Sequence, residues 1–333
     1  MADILRRITT DVGGTFTDLV CFDINRITGE ASIRTAKADT TPPNFEQGVL
    51  NVLAKADVDP ATIDFLAHGT TMVINALTER KGVKVGLITT KGFRDTLEIA
   101  RGNRPDFFNL AYQKPEPFVP RYLRREVAGR LDYHGVEMAA LDLSGLPAIL
   151  EDFRREGVQA VAISFLHSYA NPAHEAATLT EVHRLWPEVA VVASHHITRE
   201  WREYERTNTT VLSAYVQPVA ERYLMRLKDG VTSAGFAGKL YVMQSNCGVD
   251  SLESAARTPI TMVESGPASG FWGAAELGKL IGETNVLALD IGGTTAKCSL
   301  IQDGNVRIMT DYWIERDRTS AGYPIMVPVV DLV

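Results

Sequence analysis

The chain has 333 residues, 45% of them hydrophobic and 23% charged, and a formal net charge of −7. At roughly 150 residues per domain this is about two domains, long enough to bury real cores. The 26 glycines and 15 prolines exclude collagen-like and low-complexity classes, and a mildly acidic chain lacks the basic field of a nucleic-acid surface.

The first 40 residues read as a β-meander, with Ile8–Asp11, Phe16–Phe22 and Ala31–Ala38 alternating between tight turns. From Phe45 helix and strand alternate: Phe45–Lys55 helix, Ile63–Ala67 strand, Met72–Arg80 helix, Lys84–Thr89 strand and Gly92–Ala100 helix. Residues 102–122 carry Pro105, Pro115, Pro117 and Pro120 and read as loop. Leu146–Glu156 reads as a helix, Val158–Leu166 as a buried strand, and another helix follows Pro172, which suits its first turn. Val189–Ala193 is a strand, and Asn208–Lys228 a long helix kinked at Pro218. Leu240–Gln244 is a strand, Pro267–Ile281 a helix, and Asn285–Asp290 and Ala296–Ile301 are strands. The pattern is α/β. Its weakest composition boundary lies near 194–207, which predicts a first domain over 1–200 and a second over 201–333. Met326–Val333 reads as a strand that stops in mid-sheet, as if the chain were cut there.

Cys21, Cys247 and Cys298 are far apart and form no CxxC, so neither a zinc knuckle nor a disulfide framework is expected. The N-terminal residues lack a signal-peptide h-region, and no apolar run is long enough for a membrane span. A cytoplasmic setting with no membrane partner is the expectation.

The strongest signal is an internal repeat. Asp11-Val-Gly-Gly-Thr15 recurs as Asp290-Ile-Gly-Gly-Thr294, each copy ending an apolar strand and preceding another strand. Glycines at 13, 14, 292 and 293 let backbone N–H groups approach phosphate oxygens without a Cβ clash. Thr15 and Thr294, with Thr17 and Thr295 beside them, add hydroxyl donors, and Asp11 and Asp290 can hold a metal or orient an attacking water. One copy alone could be a plain hairpin turn; two in matched contexts argue for a nucleotide clamp. Gly13-Gly14 is not a dinucleotide fingerprint, since no helix follows, and Gly273–Leu280 is a helix interior that only approximates a P-loop.

His68-Gly-Thr-Thr71 follows a strand, where α/β sheets open onto ligand crevices. Thr70 and Thr71 could reach phosphate or substrate or cap the next helix, and His68 could be a general acid/base or a packing residue. Residues 101–130 are basic. Arg101 and Arg104 are the candidates there for holding an anionic substrate, against the plainer reading of a solvated loop. Arg199–Arg206 reads as a solvated helix face, and His195-His196 lacks a third ligand for a metal.

Together these segments resemble a known family. Thr10–Asp18, His68–Thr71 with Asn75-Ala-Leu77, Gly92–Asp95, Arg202–Thr207 and Glu264–Ala268 stand in the order and spacing of the hydantoinase A/5-oxoprolinase family, over about residues 8 to 330. The paired turns resemble the actin-like (ribonuclease H-like) duplicated ATPase fold. The resemblance implies an ATP-dependent amidohydrolase that opens a hydantoin, 5-oxoproline or lactam through a phosphorylated carbonyl. It allows, as alternatives, the ATP-binding subunit of an acetone or acetophenone carboxylase, or a small-molecule kinase. It further implies ATP and a divalent metal (Mg or Mn), with Asp11 and Asp290 as metal residues, Asn75 near the substrate, a small-molecule substrate, an oligomer, and a hydantoinase B-type partner subunit or fused domain. Two departures stand out. Lys297 replaces an acidic residue after the second turn, and Cys247 stands where glycine is usual. Because the second turn lies so near the chain end, the second lobe is expected to be incomplete.

Overall fold

The computed structural model describes residues 4–102, 104–291 and 296–332. In chain order the elements are β1 (Ile4–Val12), β2 (Phe16–Asn25), β3 (Ala31–Asp39), α1 (Phe45–Lys55), β4 (Phe65–Thr70), α2 (Met72–Thr78), β5 (Val85–Thr90) and α3 (Thr96–Ile99). Then come β6 (Arg124–Leu131), β7 (Glu137–Asp142), α4 (Leu146–Arg155), β8 (Ala160–Ser164), α5 (Ala173–Leu185), β9 (Ala190–Ala193), α6 (Ser194–Ile197) and α7 (Glu203–Ser233). The last stretch holds β10 (Lys239–Met243), β11 (Val249–Ser251), α8 (Leu252–Arg257), α9 (Ser265–Ile281), β12 (Val286–Ile291), β13 (Ala296–Gln302), β14 (Asn305–Val306), β15 (Ile308–Met309), β16 (Tyr312–Arg316), β17 (Ala321–Ile325) and β18 (Val329–Val330). Among the described residues no helix is long and apolar enough to cross a membrane.

The chain forms two compact units that interleave in sequence. One comprises Met1–Asn75, Ala220–Met309 and Pro328–Val333; the other comprises Ala76–Val219 and Thr310–Val327. The predicted boundary near residue 200 divides the sequence, whereas the spatial division runs through α2 and α7.

In the first unit a six-stranded sheet has the order β11-β10-β4-β1-β2-β3. The meander β1–β2–β3 is antiparallel, and β4 and β10 add in parallel on the other side of β1. Alternation in β1 and β2 turns Ile8, Val12, Leu19 and Cys21 inward against Val49, Val52 and Leu53 of α1 and Leu227 and Val231 of α7. A second three-stranded meander, β12-β13-β14, packs through Val286, Ala288 and Ile301 on Ala268, Phe271 and Ala275 of α9. The second unit holds a five-stranded sheet of order β7-β6-β5-β8-β9, with β6, β5, β8 and β9 mutually parallel.

Several expectations are corrected here. The helix at Gly92–Ala100 shrinks to Thr96–Ile99. Gly92 sits at φ +89, and the Glu126 carboxylate accepts the backbone N–H groups of Gly92 and Arg94, which fixes a turn instead. The hairpin β6–β7 went unpredicted. The terminal segment is not a bare strand: β18 pairs with β15, and Val329 and Val330 are fully buried. The charge run at 199–206 is a solvated face only in its first half: Arg199–Arg202 are exposed, whereas Tyr204, Glu205 and Arg206 are buried. Arg206 donates to the hydroxyls of Ser168 and Ser194 and to the Phe165 carbonyl, beside the fully buried Glu175. His195 is held by Glu175 through Nδ1 at 2.7 Å, and no metal-binding group occurs among the described residues.

Candidate functional site

The end of β1 opens onto a cleft of about 1200 Å³ within the first unit. Its walls come from β1 and β2, the end of β4, the turn 246–248, α9 and β12. Asp11, Asp18 and Asp290 all line it. Parallel pairing sets Asp11 of β1 beside Gly69 of β4, and antiparallel pairing sets it opposite Asp18 of β2.

Asp11 is held in a narrow slot. A Cβ on Gly266 would stand 2.9 Å from its Oδ1, and one on Gly69 would stand 3.0 Å away. Only glycine at both positions leaves room for the carboxylate. Its Oδ1 is buried with no hydrogen-bond partner. Burial first, then the charges of Asp18 and Asp290, push the carboxyl up to about 6. An orphaned buried oxygen is costly to the fold, although Asp11, Asp18 and Asp290 do not come together as a metal-binding group among the described residues.

The turn after β1 is pinned from outside. Gly13 N–H donates to Phe16 O at 2.9 Å, Thr40 N–H donates to Thr15 O at 2.9 Å, and the Thr40 hydroxyl donates to Gly13 O at 2.9 Å. Gly14 and Thr15 are exposed at its tip. Thr17 lies on the opposite, fully buried face, its Oγ1 3.2 Å from Thr40 Oγ1 and packed on Gly48 of α1. It braces the turn from beneath.

His68 is fully buried. Its Nδ1 lies 2.9 Å from Thr10 Oγ1 and its Nε2 2.6 Å from the Tyr223 hydroxyl. Burial drives its pKa down to about 3, so it is neutral at physiological pH and works as a packing and positioning residue. Thr70 caps α2 by accepting from Met72 N–H at 3.1 Å, and it exchanges hydrogen bonds with Ser265 at the start of α9. Thr71 N–H donates to Val12 O at 3.1 Å, and its hydroxyl accepts from Asn75 Nδ2 at 3.2 Å. These residues tie the end of β4 to β1 and α9.

Of the second turn, Asp290 is described and exposed at the cleft; Gly292, Gly293, Thr294 and Thr295 lie outside the described residues. Lys297 stands opposite Asp290 in β13 and pairs with Glu264, which is 2% exposed. Cys247 lies in the turn 246–248 at φ +66, a conformation that favours glycine, and its thiol donates to Ala268 O at 2.7 Å. Burial pushes that thiol up to about 12.

Arg101 and Arg104 are in the second unit. Arg101 makes a two-pronged pair with Glu205 at 2.8 and 2.5 Å, and Arg104 is exposed. Arg121 pairs with Asp95, and the buried Arg124 with Glu98, so the basic stretch is largely neutralised within its own unit. Sequence reasoning quoted Gly69 and Gly266 within motifs but missed their role. Each is the one glycine of its motif, but its approach to the first aspartate exists only in the fold.

Profiles of the hydantoinase/oxoprolinase N-terminal region and of hydantoinase/oxoprolinase match residues 7–184 and 206–333. The chain is 37% identical to an uncharacterized protein of Methanocaldococcus jannaschii, across 98% of this chain and 49% of that protein. It is 34% identical to the caprolactamase subunit alpha of Pseudomonas jessenii, across 98% of this chain and 47% of that subunit. In structure it is similar to nucleotide-free acetone carboxylase, with a TM-score of 0.83 at 27% identity, covering 99% of this chain and 48% of that one. It thus spans about half the length of the relatives it matches. The strand order β3-β2-β1-β4-β10 and these likenesses give the fold as the actin-like ATPase type. The chain belongs to the hydantoinase/oxoprolinase family.

Proposed function

We propose that this chain carries the nucleotide-binding part of an ATP-dependent amidohydrolase that opens a cyclic amide. The observation that carries the reading is the Asp11 carboxylate, buried, partnerless at Oδ1, and slotted between Gly69 and Gly266 in a cleft it shares with Asp18 and Asp290. The caprolactamase likeness supports the substrate class. An amide resists water because its carbonyl is resonance-stabilised. ATP supplies the phosphoryl group that makes the carbonyl oxygen a leaving group.

This chain's residues position and neutralise. Gly13, Gly14 and Thr15 cradle phosphate oxygens, and Gly292, Gly293, Thr294 and Thr295 supply the second cradle. Thr17 and Thr40 hold the first turn rigid. Asp11 and Asp290 would hold a divalent metal, which screens charge on the triphosphate. Thr70, Thr71 and Asn75 fix the end of β4 at the cleft, and His68 keeps β1 and β4 in register. Arg101 is committed to Glu205, which leaves Arg104 as the free arginine of that pair for a substrate anion. In chain order we retain an N-terminal module over 1–200 and a following module over 201–333, in a cytoplasmic enzyme that works with a hydantoinase B-type partner subunit. The acetone carboxylase likeness favours a second reading, an ATP-binding carboxylase subunit.

The test is phosphate release from ATP by the complete polypeptide with its partner, offered lactams, hydantoin, 5-oxoproline, ketone plus bicarbonate, or sugars. Lactam- or imide-stimulated turnover is the expected result. Stimulation by ketone plus bicarbonate alone selects the carboxylase, and stimulation by sugars alone sinks both readings.

A further inference from the structure

The start of α9 gathers the elements that present the two aspartates of the repeat. The Ser265 hydroxyl donates to Thr70 O at 3.0 Å, at the end of β4. Gly266 abuts the Asp11 carboxylate of β1. The Ala268 carbonyl accepts the Cys247 thiol at 2.7 Å. Glu264, the residue just before the helix, reaches the other copy: its carboxylate pairs with the Lys297 ammonium of β13. The Glu264 backbone is fixed as well, since its N–H donates to Ser245 Oγ at 3.0 Å.

This pair lies deep. The Glu264 side chain is 2% exposed and that of Lys297 19%. Two charges taken out of water are repaid only by close fit, and removing one partner strands the other. A carboxylate at a helix N-terminus usually caps the first free N–H groups. Glu264 makes no side-chain cap bond, and its carboxylate is turned to Lys297 instead. Lys297 stands in register with Asp290, and directly opposite residues of an antiparallel pair project from the same face. No lysine or arginine lines the cleft among the described residues, so Lys297 acts from behind the wall that carries Asp290. Further along, the hairpin β12–β13 meets α9 through Val286, Ala288 and Ile301. Apolar contact is non-directional and tolerates sliding, whereas a close ion pair has one geometry.

We propose that Lys297 is a positioning residue: through Glu264 it pins the hairpin β12–β13 to the first turn of α9, and so fixes Asp290 in the cleft it shares with Asp11. The proposal deepens the nucleotide reading above and rests on it for the ligand; the pinning itself does not depend on that reading.

The test uses the complete polypeptide and the paired variant Lys297→Met/Glu264→Gln, which removes both charges and strands neither. Its thermal midpoint stays near that of the wild type. In hydrogen exchange without nucleotide, the amides of β12 and β13 exchange about tenfold faster than in the wild type, and those of β1 and β2 are unchanged. ATP turnover falls about tenfold, the loss expected of Asp290→Asn. Adding Asp290→Asn to the paired variant costs little more, because the pair acts through that residue. Unchanged exchange in β12 and β13, turnover equal to wild type, or a full further loss on adding Asp290→Asn overturns the proposal. A lower midpoint with exchange raised across the whole chain makes the pair a plain stability element and overturns it too. If the wild type turns over no ATP with any substrate offered, the nucleotide reading fails, and the exchange of β12 and β13 alone decides the pinning.

Discussion

In the first meander, Ile8, Val12 and Cys21 are at most 2% exposed beneath α1 and α7. At the matching positions of the second meander, Leu287, Ile291 and Leu300 are 64–70% exposed. Counting from Asp11 and Asp290, the two copies share a pair of antiparallel strands, yet the face that is buried in one is exposed in the other. The helix layer is what differs. The second copy meets α9 on its opposite face, through Val286, Ala288 and Ile301. Charge differs as well: the residue opposite Asp11 is Asp18, and the residue opposite Asp290 is Lys297. Burial and like charge disfavour the ionised form of the first aspartate. The second is exposed, and the lysine opposite it is paired with Glu264. A repeated turn therefore does not imply two equivalent sites.

Four experiments would break or sharpen that contrast. The largest effect is expected at the aspartates. Asp11→Asn should cut ATP turnover of the complete enzyme by about a thousandfold, the scale of losing a preorganised electrostatic group, while Asp290→Asn costs about tenfold. The same variant carries a stability signature. The Asp11 carboxyl is raised from 3.8 to about 6, so the folded state holds its proton more tightly than the unfolded state. The charged form is penalised, fully above pH 6 and not at all below the ordinary carboxylate range. In urea denaturation Asp11→Asn should gain up to about 3 kcal/mol at pH 8 and nothing near pH 3. Equal behaviour of the two aspartates would erase the distinction drawn between the copies.

Next comes the core contrast. Ile8→Ala should cost about 2–5 kcal/mol, and Leu287→Ala less than about 0.5 kcal/mol, in the same denaturation series. A large loss at Leu287 would mean that its face is covered in solution. Third, Gly266→Ala drives a methyl group into the Asp11 carboxylate and should cost about 1–3 kcal/mol, together with nucleotide affinity measured by calorimetry. Gly270→Ala, on the same helix with open space at its Cβ, should leave stability unchanged. Smallest is Cys247→Gly, which relieves a left-handed backbone beside the second copy at the loss of one thiol contact. A gain of about 1 kcal/mol or less is expected from the thermal midpoint.

The repeat, the meander and the order of the later elements were readable because each rests on local pattern: alternation, turn glycines and helical spacing. Phe45–Lys55 was predicted to the residue. The failures share a cause. The strand β6, Arg-Arg-Glu-Val-Ala-Gly-Arg-Leu, hides its alternation because a charged residue, Arg124, turns inward with Val127 and Leu131, onto Glu98 and the Val119 carbonyl, and the register shifts near Arg130. The run 203–206 looked solvated because its partners, Arg101, Ser168, Glu175 and Ser194, lie elsewhere in the chain. His68 was ambiguous for the same reason: nothing near it in sequence announces Thr10 and Tyr223 as its partners.

By itself the sequence determined the family, the repeated Asp-x-Gly-Gly-Thr motif and the residue types at the cleft, since these depend on backbone freedom and side-chain chemistry at fixed spacing. Only the tertiary structure decided which aspartate is buried, which glycines make its slot, which histidine is silenced and which arginines are already spoken for. Those properties depend on desolvation and on partners brought together from distant segments, and neither is written in the local pattern of the chain.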